Sequence, residues 1–302
     1  MAFRSGFVTV IGRPNVGKST FLNALLGEKY LIVSDKPQTT RNQIRCILTT
    51  DEAQVVFIDT PGIHQAKTLL GEGMVQAALH TLQDVDAIVF MVDASAELGG
   101  GDRYIAKQLA QVDTPIFLVF NKIDLVTGDK LAQLESQWQE LLPQAQAVVH
   151  ISALTGYNLE VLREQLIAVL PEGPKYYPDD MVIDHPERFV VAERIREKIL
   201  QLTHEEVPHA VAVVVDEMKE RDNDVVYVRA TIYVERESQK GIIIGKQGNM
   251  LKNIGKAART DIERLLGSQI YLDLWVKTRR DWRNRQSGLL QLGYEDLIQR
   301  GR

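Results

Sequence analysis

"GRPNVGKS", Gly12 to Ser19, lies between the apolar run "FVTVI" and the amphipathic "TFLNALLG", and its reading decides the fold of the first half of the chain. Gly12 and Gly17 enclose four residues and are followed by Lys18 and Ser19, the spacing of a phosphate-binding loop that leaves a β-strand and enters an α-helix. Glycines at those two points let the backbone turn its N–H groups inward around phosphate oxygens, at the positive end of the helix that begins there. Lys18 is expected to reach the β and γ phosphates, and the Ser19 hydroxyl to supply a ligand to Mg²⁺. The predicted nucleotide contacts are therefore Gly12, Arg13, Pro14, Asn15, Val16, Gly17, Lys18, Ser19 and Thr20.

Outward from this loop, short β-branched runs ("FVTVI", "QIRCILTT", "VVFID", "AIVFMVD", "PIFLVF", "AVVHIS") alternate with amphipathic stretches such as Glu72 to Gln83 and Leu131 to Leu142. That rhythm predicts an α/β layer built on a mostly parallel six-stranded sheet. Only "DEAQ" separates the second run from the third, too little for a crossover helix, so this pair is expected to be an antiparallel hairpin at the sheet edge.

The base is read farther on. In "NKID", directly after "PIFLVF", Asp124 can accept from both N1–H and the exocyclic amine of guanine, whereas adenine has no donor at N1 and would leave the charge unpaired. Asn121 is expected to tie this loop to the phosphate loop and touch N7, with the stem of Lys122 over the base. Ser152, Ala153 and Leu154 follow another strand, and the Ala153 amide is placed for the guanine O6. "DTPG" ends the strand "VVFID": Asp59 is expected to hold Mg²⁺ through water and the Gly62 amide to sense the γ phosphate. Of the two threonines in "KPQTTR", Thr40 rather than Thr39 is expected to complete the metal shell. His64 reads as a bystander and Cys46 as a small buried hydrophobe.

After "NLEVLREQLIAVL" the segment "PEGPKYYPDDMVIDHPERF" carries four prolines and cannot continue a helix. Residues 1–171 are read as a nucleotide-binding domain, 172–187 as a proline-rich linker and 188–302 as a second, smaller α+β domain ending in a basic helix. The order there is helix, two strands, two helices and a strand. Between its two helices "GIIIGKQG" ends in G-x-x-G, Gly245, Lys246, Gln247 and Gly248, where glycines let a backbone approach phosphates. From Ser238 to Gln286 the chain carries 11 Lys and Arg against 4 acids, a net +7 within a total of −5, which points to an anionic partner. Lys240, Lys246, Lys252, Arg279 and Arg280 are the candidate phosphate contacts. Trp282, among cations in "KTRRDWRNRQ", suits base stacking and equally suits anchoring the last helix.

A chain of 302 residues has room for two cores. Its single cysteine forms no internal disulfide, its start carries no secretory signal, and its apolar runs fall short of the ~20 residues of a membrane span. A cytoplasmic location is the expectation.

The set GRPNVGKS, PQTTR, DTPG, NKID and SAL resembles the translation-factor-related GTPases, and with "SDKPQTTRNQIR", "DTPGIH", "YYPDD", "HPERF" and "IIIGKQG" the whole chain is similar to the Era family of bacterial ribosome-assembly GTPases. The resemblance implies a Ras-like P-loop GTPase domain followed by a type II KH domain. It implies slow Mg²⁺-dependent hydrolysis of GTP to GDP and phosphate, and the 3′ end of 16S ribosomal RNA and the 30S subunit as partners, with no DNA. One position departs from the Ras pattern: Ile63 stands where a Gln orients the attacking water, and an isoleucine cannot do that. Similar GTPases with an apolar residue there bind K⁺ through a loop Asn, here Asn15, so the residues implied in catalysis are Lys18, Asn15, Thr40 and Gly62. Two other readings remain: a membrane-surface signalling GTPase with the basic segment on anionic lipid at the inner face of the cell membrane, and an RNA-binding scaffold whose nucleotide only stabilises the fold.

Overall fold

The computed structural model describes residues 2–221 and 224–299. They form two compact units, one of the residues up to Val33, Thr40–Lys67 and Gly71–Asp184, the other of Ser34–Thr39, Thr68–Leu70 and the residues from His185 on.

In chain order the first unit contains β1 (Arg4–Ile11), α1 (Lys18–Leu26), β2 (Ile44–Thr49), β3 (Ala53–Asp59), α2 (Leu69–His80), β4 (Ala87–Asp93), α3 (Gly100–Leu109), β5 (Ile116–Asn121), α4 (Gly128–Leu141), β6 (Ala147–His150) and α5 (Leu159–Val169). Its sheet runs β2-β3-β1-β4-β5-β6. Every pairing is parallel except β2 with β3, the hairpin that the short "DEAQ" connection requires. The β4 and β5 runs are buried almost throughout, as strands covered on both faces must be. On one face Phe90 meets Trp138 of α4 edge to face at 5.2 Å, and on the other Phe57 meets Phe21 of α1 at 6.2 Å. Cys46 is fully buried in β2, and burial, then the charge of Asp59, push its thiol up.

Residues 172–184, expected to be a linker, belong instead to this unit. β1 pairs with β3 from Arg4 but with β4 only from Val8, so its first residues have an open side. The chain fills it: Ser5 N–H donates to Pro171 O at 3.1 Å and Gly173 N–H to Phe3 O at 3.1 Å. It then crosses Gln54, whose Oε1 accepts the amides of Tyr176 and Tyr177 at 2.7 and 2.9 Å. Finally it lies antiparallel to the outer edge of β2, with Ile47 N–H on Val182 O at 2.8 Å and Asp184 N–H on Arg45 O at 3.1 Å. Prolines exclude this strap from a helix, but unsatisfied strand edges give it a fixed path.

The second unit contains α6 (Glu187–Leu202), α7 (Val207–Ala210), β7 (Ala212–Glu220), β8 (Val226–Val234), α8 (Glu237–Ile244), α9 (Asn249–Leu266), β9 (Ile270–Thr278), α10 (Gln286–Gln291) and α11 (Asp296–Gln299). Its sheet order is β7-β8-β9, antiparallel then parallel. Val228, Ala230, Ile232 and Val234, two apart on β8, face Ile254, Ala258 and Ile262, four apart on α9, and Val191, Ile195 and Ile199 on α6. Each such side chain withdrawn from water contributes about 1.5–3 kcal/mol before entropic costs, apart from the smaller alanines. Among the described residues the expected C-terminal basic helix is absent. Asp281 takes a left-handed φ of 53° and Trp282–Asn284 form one 3-10 turn, so the arginines precede α10, whose "QSGLLQ" carries no charge.

Candidate functional site

β1, β3, β5 and β6 deliver their following loops to one edge of the first sheet, the arrangement in which open α/β sheets bind ligands. Gly12 has φ +155° and an added Cβ would lie 2.3 Å from Met91 O; Gly17 has φ +104° and its Cβ would lie 2.2 Å from Asn121 Nδ2. Neither position accepts another residue without moving backbone or Asn121. Lys18, the first residue of α1, is buried, and its Nζ donates to Gly12 O at 3.2 Å and Arg13 O at 3.0 Å. Burial pulls its ammonium down to about 8, against the attraction of Asp59. Thr20, two positions further along α1, is half-buried.

Ser19 Oγ lies 3.0 Å from both Asp59 Oδ2 and Thr40 Oγ1, and Thr40 Oγ1 donates to Asp59 Oδ2 at 3.2 Å. Thr39 turns the other way, onto Lys36 O at 2.6 Å. Asp59 is fully buried, and burial raises its carboxyl to about 6 despite Lys18 and the two hydroxyls. Its Oδ1 is buried with no hydrogen-bond partner. Two hydroxyls and one carboxylate, one oxygen of it orphaned, are a hard-oxygen set that fits Mg²⁺. Among the described residues no cluster of three His, Cys, Asp or Glu offers a different metal centre.

Gly62 sits against the phosphate loop, where a Cβ would meet Pro14 N at 2.6 Å, and the Ile63 amide donates to Gly12 O at 3.1 Å. The Ile63 side chain is 1% exposed and packs with Ile11 and Val92, so it faces core rather than any attacking water. His64 Nδ1 is 2.9 Å from Gly62 O.

Asn121 is a strut. Its Nδ2 donates to Val16 O at 2.8 Å and its Oδ1 accepts the Ala153 amide at 2.9 Å. The first bond is the expected tie to the phosphate loop; the second occupies the amide expected on guanine O6, so a base there must compete with Asn121. Lys122, at φ +66°, sends Nζ to Asn15 O at 2.9 Å and to Asp93. Asp93 was not foreseen. It ends β4 on the same sheet edge, and Lys122 and Ser95 outweigh its burial to hold the carboxyl below its usual range. A carboxylate closing a buried strand ("AIVFMVD") was the available signal. Asp124 and Leu154 are exposed, and Ser152 Oγ accepts the Thr155 amide at 3.2 Å. The Arg13 side chain turns away from the loop to Asp102 of α3, Nε to Oδ1 at 2.8 Å, which leaves only its backbone for the expected nucleotide contact.

In the second unit Gly245 (φ 73°, ψ 176°) ends α8, Gln247 has φ 53°, and Gly248 at φ 77° caps α9. A Cβ on Gly245 would lie 2.6 Å from Met250 Cβ, whereas Gly248 has open space. This sharp turn leaves Lys246 and Gln247 exposed beside the α9 N-terminus, with Lys252 exposed and Lys240 3.9 Å from Glu237. Arg280 is exposed; Arg279 is half-buried with Nη2 3.5 Å from Ser287 O. Trp282 is fully buried, donates Nε1–H to Ala210 O at 2.9 Å and stacks on Tyr294 at 5.7 Å, which decides for the anchor over base stacking. No helix among the described residues is long and apolar enough to cross a membrane.

A glycine loop feeding a buried lysine, with two hydroxyls and one carboxylate beside it and a sheet reversed only at its edge, is the Ras-like GTPase fold; the second unit is a KH domain. A family model described as "50S ribosome-binding GTPase" matches residues 7–122 and one described as "KH domain" matches 206–283. The chain is similar to a point variant of Era from Aquifex aeolicus solved with GDP·AlF4⁻, at 41% identity over 97% of this chain and 99% of that one, with a TM-score of 0.93. A structure of Era with MgGDPNP and nucleotides 1506–1542 of 16S ribosomal RNA matches with the same identity, coverage and TM-score. The chain belongs to the Era family of GTPases.

Proposed function

We propose that this protein is a cytoplasmic GTP-hydrolysing switch that engages the 3′ end of 16S ribosomal RNA through its KH domain during maturation of the 30S subunit. The observation that carries this reading is the match over nearly the whole of both chains to an Era solved with MgGDPNP and that stretch of RNA. The site chemistry supports it. Lys18 neutralises phosphate charge, and the Asn121 strut holds the loop bearing Asp124 to the loop bearing Lys18. Ser19, Thr40 and Asp59 would hold Mg²⁺, which when bound neutralises charge developing on the phosphates. The Gly62 amide is the sensor of the γ phosphate.

With Ile63 in the core, no side chain at that position orients water, so intrinsic hydrolysis is slow. Asn15 would hold a K⁺ ion, which when bound would add positive charge beside the phosphates. Equal turnover in K⁺ and Na⁺, unchanged by Asn15→Ala, would remove the ion from this scheme. The test of the whole reading is the affinity of an RNA with the 16S 3′-end sequence for the protein loaded with a non-hydrolysable GTP analogue and then with GDP. Tighter binding in the GTP form supports the switch; equal binding leaves two independent modules, and no binding rejects the RNA assignment.

A further inference from the structure

Arg13 and Asp102 form an ion pair that the nucleotide-site reading does not use. The Asp102 side chain is 2% exposed and that of Arg13 30%. While Asp102 Oδ1 takes Arg13, its Oδ2 accepts the Gly99 amide at 2.9 Å. One carboxylate thus joins the first turn of α3 to the second residue of the phosphate loop. Three glycines make this approach possible: Gly99 caps α3, and Gly100 and Gly101 are its first two residues. A Cβ at Gly101 would lie 3.0 Å from Arg13 Cδ, and one at Gly99 3.4 Å from Arg13 Nη1. The missing side chains are the space through which Arg13 reaches.

The turn that Arg13 fastens is the meeting point of the catalytic loops. Its carbonyls, Gly12 O and Arg13 O, hold Lys18 Nζ, and Gly12 O also takes the Ile63 amide. We propose that Asp102, acting through Arg13, is a positioning residue for nucleotide binding: it fixes the phosphate loop to a rigid helix, so that Lys18 and the loop amides are already placed when phosphate arrives. This rests on the nucleotide-site reading above. Neither charged group needs to touch the ligand; preorganisation is the contribution.

The test compares Arg13→Met, Arg13→Lys, Asp102→Asn and the double variant Arg13→Met/Asp102→Asn in the full-length protein. Binding and release of a fluorescent GDP analogue are read beside thermal unfolding of the same samples. Arg13→Met should weaken GDP about tenfold, through faster release, and Arg13→Lys should recover part of that. The double variant leaves no buried charge unpaired, so it should regain stability lost in Arg13→Met while GDP affinity stays low. Affinity that recovers together with stability would reduce the pair to a structural brace, and wild-type affinity in Arg13→Met would overturn the proposal outright. If Asp102→Asn does not fold, the two Arg13 variants decide, because both keep the acceptor for Gly99: GDP affinity lost without loss of thermal stability supports positioning, and the two falling in proportion reduce the pair to a structural brace. Absence of GDP binding by the wild-type protein would instead reject the nucleotide site itself, and this inference with it.

Discussion

The loop at Gly12–Ser19 and the turn at Gly245–Gly248 are both built on glycines entering a helix, yet they are finished in opposite ways. Around the first, side chains are buried or half-buried and held before any ligand arrives: Lys18 by two carbonyls, Ser19 and Thr40 by Asp59, Asn121 by two loops. At the second, Lys246 and Gln247 stand exposed on a strained but open turn, with Lys252 exposed in the first turn of α9. A site for one small, highly charged ligand gains from fixed partners in low dielectric; a groove for a flexible polymer gains from cations that follow a backbone.

The largest test of that contrast is Lys18→Ala. It should weaken GTP and GDP on the order of 100-fold in equilibrium titration, with RNA affinity of the nucleotide-free protein unchanged. Next, Lys246→Ala with Lys252→Ala should lower RNA affinity roughly tenfold at moderate salt and flatten the slope of log affinity against log salt by up to about two, while GDP binding stays intact. Gly245→Asp should abolish RNA binding, although the Cβ contact with Met250 makes part of its effect local distortion. Loss of both ligands in either variant would break the comparison.

A smaller effect separates the buried site by pH. Asp59 titrates at about 6 in the fold against 3.8 ordinarily, so between these values the folded chain holds a proton that the unfolded chain has released. Stability of the nucleotide-free protein from this group therefore falls as pH rises through that window, by at most roughly 3 kcal/mol. Asp59→Asn should gain on wild type between pH 4 and 6.5 in urea unfolding; parallel profiles would contradict the burial argument. The smallest expected change is Trp282→Phe, which leaves the Ala210 carbonyl unpaired and should cost the KH domain about 1–3 kcal/mol by thermal unfolding.

Much of this was legible in the sequence because backbone demands are written in residue type. Gly12 and Gly17 announced their loop, "DEAQ" was too short for anything but a hairpin, and the order of helices and strands after the prolines announced a second α+β unit. Side-chain destinations were not written so. Arg13 belongs to the loop motif, yet its partner is 89 residues away; Trp282 offered two roles until burial selected one. The Ala153 amide had an evident ligand but meets Asn121. The proline segment read as a linker because local propensity says what a chain cannot form, while the open edges that claim it lie far off in sequence.

That strap carries a consequence for dissecting the molecule. A fragment cut after Leu170 would uncover both the first residues of β1 and the outer rim of β2, a flat hydrogen-bonding edge of the kind that recruits foreign strands. A fragment cut after Asp184 keeps its own seal. The boundary at which this GTPase domain can be handled alone in solution is therefore set by a stretch without helix or strand, fifteen residues beyond where its last helix stops.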